Sequence, residues 1–397
     1  MKKKLILLSF IALHTLFLTT VKAQKITLSE TAVISVLTMG PGNALNDSFG
    51  HSAFRILDPN QHIDMVYNYG VYDFDTPHFY LKFTKGQLLY QLDRTSFNLF
   101  YRHYLEQNRW IKEQVLNLTT AEKQEVFNFL QNNYLPENRN YTYDFFFDNC
   151  ATRIRDVLAR VLKNKLVYNS QFETDTYTFR QLIQKNVFWN SWGSFGMDLA
   201  IGAVVDRNAT SWEYQFLPEY VFKALEKSTI SGNQGATNLV KNTSTLFKNS
   251  SNEKSVVFFT SPLFIIGFLS IMILGWTFKD YRDKARNRWL DTSIFAFTGI
   301  IGVFLLLLWF ATDHFATQHN YNLLWAVPLS LFCVVEASKK NPKFWLKKYI
   351  MFQILMLLLL SIHWITGVQS FPLALSPLLM ALCIRYIYIF SFLNKKL

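Results

Sequence analysis

The sequence predicts an α+β domain exported across the cytoplasmic membrane, followed by an all-α membrane domain of five spans. Three observations carry that prediction. First, Lys2, Lys3 and Lys4 precede an apolar run at 5–18 and then Val21-Lys22-Ala23, the pattern of a secretory leader with its cleavage site. The 14-residue run reaches about 21 Å as a helix, short of the ~30 Å hydrocarbon core, so removal after Ala23 is expected over retention as an anchor. Second, only 17% of the 397 residues are charged and 50% are hydrophobic, against ~25% charged for soluble domains. Long apolar runs gather after residue 255. Third, residues 24–227 alternate short strand-like and helix-like patterns, an α+β layout.

The net charge of +12 is unevenly spread: residues 24–255 carry 23 basic and 23 acidic side chains and are neutral. A neutral soluble part offers no footprint for a phosphate backbone, which excludes a nucleic-acid partner. Strands are predicted at 32–39, 51–57, 62–70, 88–94 and 110–118. Helices are predicted at 97–107, 121–133, 152–163, 179–187 and 219–227, with Thr119 and Glu122 as a capping box for the second. Residues 228–255, rich in Ser, Asn, Thr and Gly, read as a linker.

Spans are predicted at 256–278, 292–312, 321–337, 349–368 and 372–393, within the transmembrane domain 256–397. Five basic residues lie in the loop at 279–288, five lysines at 338–348, and Lys395 and Lys396 in the tail, whereas 313–320 and 369–371 hold no Lys or Arg. That alternation places the large domain outside and the C-terminus in the cytoplasm. Trp276, Trp309, Trp325, Trp345 and Trp364 fall near span ends as interfacial anchors, and Arg385 is close enough to the inner surface to snorkel.

Cys333 and Cys383 fall inside predicted spans, which leaves Cys150 as the single thiol of the exported domain. An unpaired cysteine there is either reactive or inert and buried. Asp148-Asn149, both favoured N-caps, precede Cys150 and an apolar helical run, so the thiol lies in a first helical turn. Unpaired N–H groups and the helix dipole favour thiolate there. Of the candidate bases, His51 follows Gly50 at a strand start, while His62, His78 and His103 read as surface or packing residues. If Leu57 faces His62 across the turn at 58–61, paired positions sum to 119 and set His51 opposite Asn68. A slip by one would present Tyr67 or Tyr69 instead.

The order of His on a strand, Asn on the next and Asn-Cys at a helix start resembles the circularly permuted papain-like thiol hydrolases and acyltransferases. More closely, Leu37-Thr38-Met39-Gly40-Pro41-Gly42, Phe49-Gly50-His51-Ser52-Ala53-Phe54-Arg55, Tyr67-Asn68-Tyr69-Gly70, Asp148-Asn149-Cys150-Ala151-Thr152-Arg153 and Phe216-Leu217-Pro218 are similar to the Bacteroidetes-type lipoprotein N-acyltransferases, often called Lnb. In the membrane half the resemblance extends to Thr312-Asp313-His314 and to Asn320-Tyr321-Asn322-Leu323-Leu324-Trp325. Met39 stands where many relatives carry Cys, so no second catalytic thiol is expected.

The resemblance implies a permuted papain-like periplasmic domain. It also implies a thiol that takes an acyl chain from a phospholipid and passes it to the N-terminal cysteine amine of a diacylated apolipoprotein at the inner membrane. Cys150, His51 and Asn68 are the candidate catalytic residues, and Asn149, Arg153, Tyr69, Asp313, His314, Asn320 and Asn322 the candidate substrate-binding or supporting ones. No cofactor and no metal are expected, since His314 and His319 have no further ligand-type residue beyond Asp313 nearby. Two other readings stay open: a cysteine peptidase of peptidoglycan peptides, and a non-catalytic scaffold in which Cys150 is merely buried.

Overall fold

The computed structural model describes residues 26–232, 235–250 and 257–394. The leader predicted at 1–23 lies outside them. The described residues form strands β1 (Val33–Met39), β2 (His51–Asp58), β3 (Ile63–Val71), β4 (Leu89–Ser96), β5 (Ile111–Leu116), β6 (Asn140–Thr142), β7 (Leu166–Val167), β8 (Thr229–Gly232), β9 (Gly235–Asn238) and β10 (Val240–Phe247). Helices of the first half are α1 (Phe79–Lys85), α2 (Phe97–Glu106), α3 (Thr120–Tyr134), α4 (Cys150–Leu162), α5 (Phe179–Gln184), α6 (Trp192–Ala200), α7 (Ser211–Tyr214) and α8 (Pro218–Lys227).

Seven strands make one antiparallel sheet in the order β10-β5-β1-β2-β3-β4-β6, and β7-β8-β9 make a small second sheet. β1 is central and buried along almost its whole length because helices cover both faces. Ile34, Val36, Phe54 and Ile56 pack with Val126, Leu130, Ile154 and Leu158 of α3 and α4. On the other face Leu37, Ala53 and Val66 meet Phe100 and Tyr104 of α2. The expected capping box forms: Thr119 Oγ1 accepts from the Glu122 N–H, and the Glu122 carboxylate accepts from the Thr119 N–H.

The stretch at 228–255 departs from the linker reading, since Thr229–Gly232, Gly235–Asn238 and Val240–Phe247 are strands β8, β9 and β10. β10 closes one edge of the large sheet against β5, pairing Thr243 with Gln114. Its composition misleads because an edge strand needs few apolar side chains: Val240, Leu246 and Phe247 pack inward while the Ser, Thr and Asn between them stay solvated. Residues 251–256 lie outside the described set.

The second half is helical: α9 (Pro262–Arg282), α10 (Arg288–Phe310), α11 (Ser330–Ala337), α12 (Phe344–Ile365) and α13 (Ser376–Asn394). Among the described residues four helical stretches, Pro262–Arg282, Arg288–Phe310, Phe344–Ile365 and Leu373–Asn394, are long and apolar enough to cross a membrane as continuous helices. The fifth expected span, 321–337, is broken rather than a continuous helix: it runs from Asn322, which donates to the Leu199 carbonyl of the first half, to Ala337, whose carbonyl accepts from Arg286 at the other end of α10, as a 3₁₀ turn at Tyr321–Leu324 and the eight-residue α11. Pro328 removes a helical donor in its middle. The broken backbone is buried on α10, where a Cβ at Gly302 would stand 2.1 Å from the Ala326 carbonyl. Non-helical backbone at membrane depth is tolerated when protein covers it. Trp325 is correspondingly buried and donates to Asn322 Oδ1 at 3.0 Å, so it is no interfacial anchor.

Arg385 does not snorkel. It is fully buried between α9, α10 and α13, bonded at 2.7 Å to both Asp280 and Asp291 and at 3.2 Å to the Asn287 carbonyl. Arg385→Ala leaves Asp280 without its cation and Asp291 with only Arg286 at 3.6 Å, and is expected to cost about 3–5 kcal/mol, read as a lower thermal midpoint of the detergent-solubilised chain.

Candidate active site

His51 opens β2, and the preceding Gly50 explains how it is aimed. Gly50 has φ +78°, and a Cβ there would lie 2.7 Å from the Met39 carbonyl, so only glycine lets the chain turn this closely into the strand. The β2–β3 pairing matches Phe54 with Tyr67 and Asp58 with Ile63, a sum of 121 where 119 was expected. The turn has slid by one residue. Asp58 stays in the strand because its buried carboxylate accepts from the Ser29 N–H, the Ser29 hydroxyl and the Asn60 N–H, and His62 closes the loop with φ 53°. A two-unit change in the sum preserves parity. Asn68 therefore remains on the face of His51, diagonal to it, and its Oδ1 accepts from His51 Nε2 at 2.5 Å. Tyr67 and Tyr69 point to the opposite face and are buried in the main core.

Cys150 is the first residue of α4, as its sequence context indicates. Asn149 caps the helix: its Oδ1 accepts from the Ala151 and Thr152 N–H groups at 2.8 and 2.9 Å, and Thr152 Oγ1 accepts from the Asn149 N–H at 2.8 Å. The Asn149 amide also donates to the Phe145 and Phe216 carbonyls, which ties the helix start to two other segments. Burial pushes the Cys150 thiol up, but the His51 charge, its hydrogen bond and the backbone N–H groups of Ser52 and Ala151 outweigh it, leaving the thiol below its ordinary range. Burial likewise pushes His51 down, and the Cys150 charge, the Cys150 hydrogen bond and Asn68 reverse this, so the imidazole stands above its ordinary value. With Nε2 held by Asn68, Nδ1 is the ring nitrogen left for the thiol. Each partner thus favours the charged form of the other.

The three side chains open onto a cavity of about 670 Å³. Its walls include Phe49, Tyr72, Phe83, Leu88, Phe145, Met197 and Phe216, with Asn46, Asp47, Arg109 and His314 among the polar residues that line it. Two wall residues escaped the sequence reading. Tyr104 of α2 stacks on His51 with centroids 6.3 Å apart, and Arg109 holds the Gly40 carbonyl at 2.8 Å and Asp47 at 3.3 Å. The spacing of Phe100 and Tyr104 marks the buried face of a helix, but nothing local says that this face meets His51.

The membrane half contributes a wall. His314 lines the cavity, its Nε2 donating to the Phe83 carbonyl at 3.1 Å, and Asp313 Oδ2 accepts from Gln87 Nε2 at 2.9 Å. Asn320 and Asn322 do not reach the cavity. They are buried and donate to the carbonyls at the end of α6, Asn320 to Leu199 and Ala200 and Asn322 to Leu199, which fastens the outer loop to the first half. Two further candidates stand away from the cavity. Tyr69 donates to Asn133 Oδ1 at 2.5 Å in the core, and Arg153 pairs with Asp148 and lies over the Tyr141 ring at 4.1 Å. Arg153 braces the segment before Cys150.

Comparison with known families matches the Lnb N-terminal periplasmic domain to residues 20–185 and the Lnb transmembrane domain to residues 252–397. No curated protein and no solved structure matches the chain. The two matched domains follow one another along the chain, the first within the sheet-bearing half and the second over the helical half. The chain is thus a multi-pass inner-membrane protein of lipoprotein biogenesis with a periplasmic N-terminal domain, and it belongs to the Lnb family.

Proposed function

We propose that the protein is a lipoprotein N-acyltransferase working through a thioester on Cys150. The observation that carries this reading is a thiol, imidazole and amide in hydrogen-bonding order at an apolar cavity walled jointly by the periplasmic and membrane halves. His51 takes the Cys150 proton, and the thiolate attacks the ester carbonyl carbon of a phospholipid. The tetrahedral intermediate collapses with cleavage of the ester C–O bond, and His51 returns the proton to the departing lysophospholipid oxygen. The α-amine of a diacylated apolipoprotein then attacks the thioester, an amide C–N bond forms, the C–S bond breaks, and the amine proton leaves through His51. Dividing the transfer lowers each barrier, and holding both lipid-borne reactants at one surface raises their effective concentration.

Asn68 orients the ring and performs no covalent step. Loss of one orienting hydrogen bond, about 1–1.5 kcal/mol, predicts a fall on the order of 10-fold for Asn68→Ala, smaller than for His51→Ala. The basic loops at 279–288 and 338–348 favour a cytoplasmic C-terminus. A cell-wall peptidase has no use for an apolar cavity backed by a membrane loop. The test is reconstitution of the full chain with phospholipid vesicles and a synthetic diacylated lipopeptide. A mass gain of one acyl chain on the peptide amine supports the reading, and an unmodified peptide overturns it.

A further inference from the structure

We propose that residues 72–85 form a lip that inserts into the outer leaflet of the bilayer and admits the phospholipid acyl chain to the cavity; the second half of this statement rests on the transferase reading. Phe74, Tyr80, Leu81 and Phe83 are 67%, 78%, 55% and 53% exposed, an apolar cluster that water disfavours. Its height is set by the membrane half. The Asp313 N–H donates to the Lys85 carbonyl at 2.8 Å and His314 holds the Phe83 carbonyl. Asp313 lies three residues beyond Phe310, the last residue of the span α10 and itself 70% exposed. The lip is therefore pinned at the outer end of a lipid-crossing helix.

Aromatic rings with lysines beside them suit an interface where rings sit among headgroups and ammonium groups meet phosphates. Lys82 and Lys85 supply the charges. Tyr72 contacts the rings of Phe74 and Phe79 and, with Phe83, lines the cavity, so apolar surface runs without a break from the lip toward Cys150. Because the exposed rings sit at bilayer height, the bilayer is the occupant that fits them.

Two readouts test this in the full chain reconstituted in phosphatidylethanolamine–phosphatidylglycerol vesicles. In a background carrying Cys150→Ser, Cys333→Ala and Cys383→Ala, an environment-sensitive fluorophore is attached at Tyr80→Cys or, separately, at Phe74→Cys. Loss of most of its emission when the vesicles carry lipids spin-labelled near the headgroup end of the chain supports insertion; unchanged emission at both positions overturns it. With Cys150 replaced the labelled chain forms no thioester there, so this result is independent of the transferase reading. In the native background, Tyr80→Ser combined with Leu81→Ser should lower the ratio of Cys150 thioester formed from vesicle phospholipid to that formed from a water-soluble acyl ester. An unchanged ratio overturns the entry role. Absence of any adduct in the unaltered chain would count against the transferase reading while leaving insertion to the quenching result.

Discussion

Cys150→Ala is expected to reduce lipoprotein N-acylation to background, with a loss on the order of 10⁶-fold if the acyl group has no other covalent carrier, as when a hydrolase loses its nucleophile. The position cannot be rescued from elsewhere in the chain. Cys333 lies buried in α11 and Cys383 lies in the span α13, both in the membrane half and away from the cavity lining. The substitution removes a few atoms from a first helical turn whose cap is Asn149, so α4 should still form and the loss should be chemical. Counting acyl chains by mass spectrometry on a model lipoprotein, with the variant supplied in cells lacking the native protein, checks this. Full triacylation by Cys150→Ala would remove the thiol from the mechanism.

His51→Ala carries the second largest effect, about 10²- to 10⁴-fold, the usual contribution of a positioned general base. It also has a distinctive signature in pH. In the native chain the His51 charge and hydrogen bond offset the burial of Cys150 and hold the thiol below its ordinary value. Removing the imidazole leaves burial opposed only by the Ser52 and Ala151 N–H groups, so the thiol must move up. Alkylation of Cys150 followed against pH should therefore proceed in the native chain below the ordinary thiol range, and its midpoint should shift to higher pH in His51→Ala. A midpoint that stays in place would mean that His51 does not govern the thiol. The reverse coupling holds as well: Cys150→Ala takes away the negative partner that raises His51, leaving burial and the Arg109 charge opposed only by the Asn68 hydrogen bond.

What the sequence made legible was local. Cys150 could be placed because capping residues and an apolar period declare a helix start within a few positions. His51 followed from the glycine before it. Asn68 emerged for a sound reason attached to an incorrect number: parity decides which face a strand residue occupies, and parity survived a turn that slid by one residue because Ser29, far away in sequence, fixes the Asp58 carboxylate. That contact has no local signature. Tyr104 and Arg109 were missed for the same reason, since each meets His51 or its surroundings only after the sheet is assembled.

The membrane half shows the complementary limit. Hydropathy registers an apolar stretch at 321–337 without registering that Pro328 breaks it and that α10 provides a glycine against which the broken backbone can lie. Composition also failed for Val240–Phe247, where a polar strand at a sheet edge has the amino-acid content of a linker. The outer loop at 313–322 was legible as a contact segment through the family resemblance. Its division of labour was not: His314 faces the cavity, Asp313 holds Gln87, and the two asparagines fasten the end of α6. This loop joins the candidate cavity to the membrane spans.

The central claim, that the acyl chain travels on Cys150, is tested most directly by the intact mass of the full-length protein after incubation with phospholipid alone, without any acceptor. The predicted result is a mass gain of one acyl chain, located on Cys150 by peptide mapping and released by neutral hydroxylamine as a thioester should be. An unmodified Cys150 in a preparation that still N-acylates a diacylated lipopeptide would contradict it.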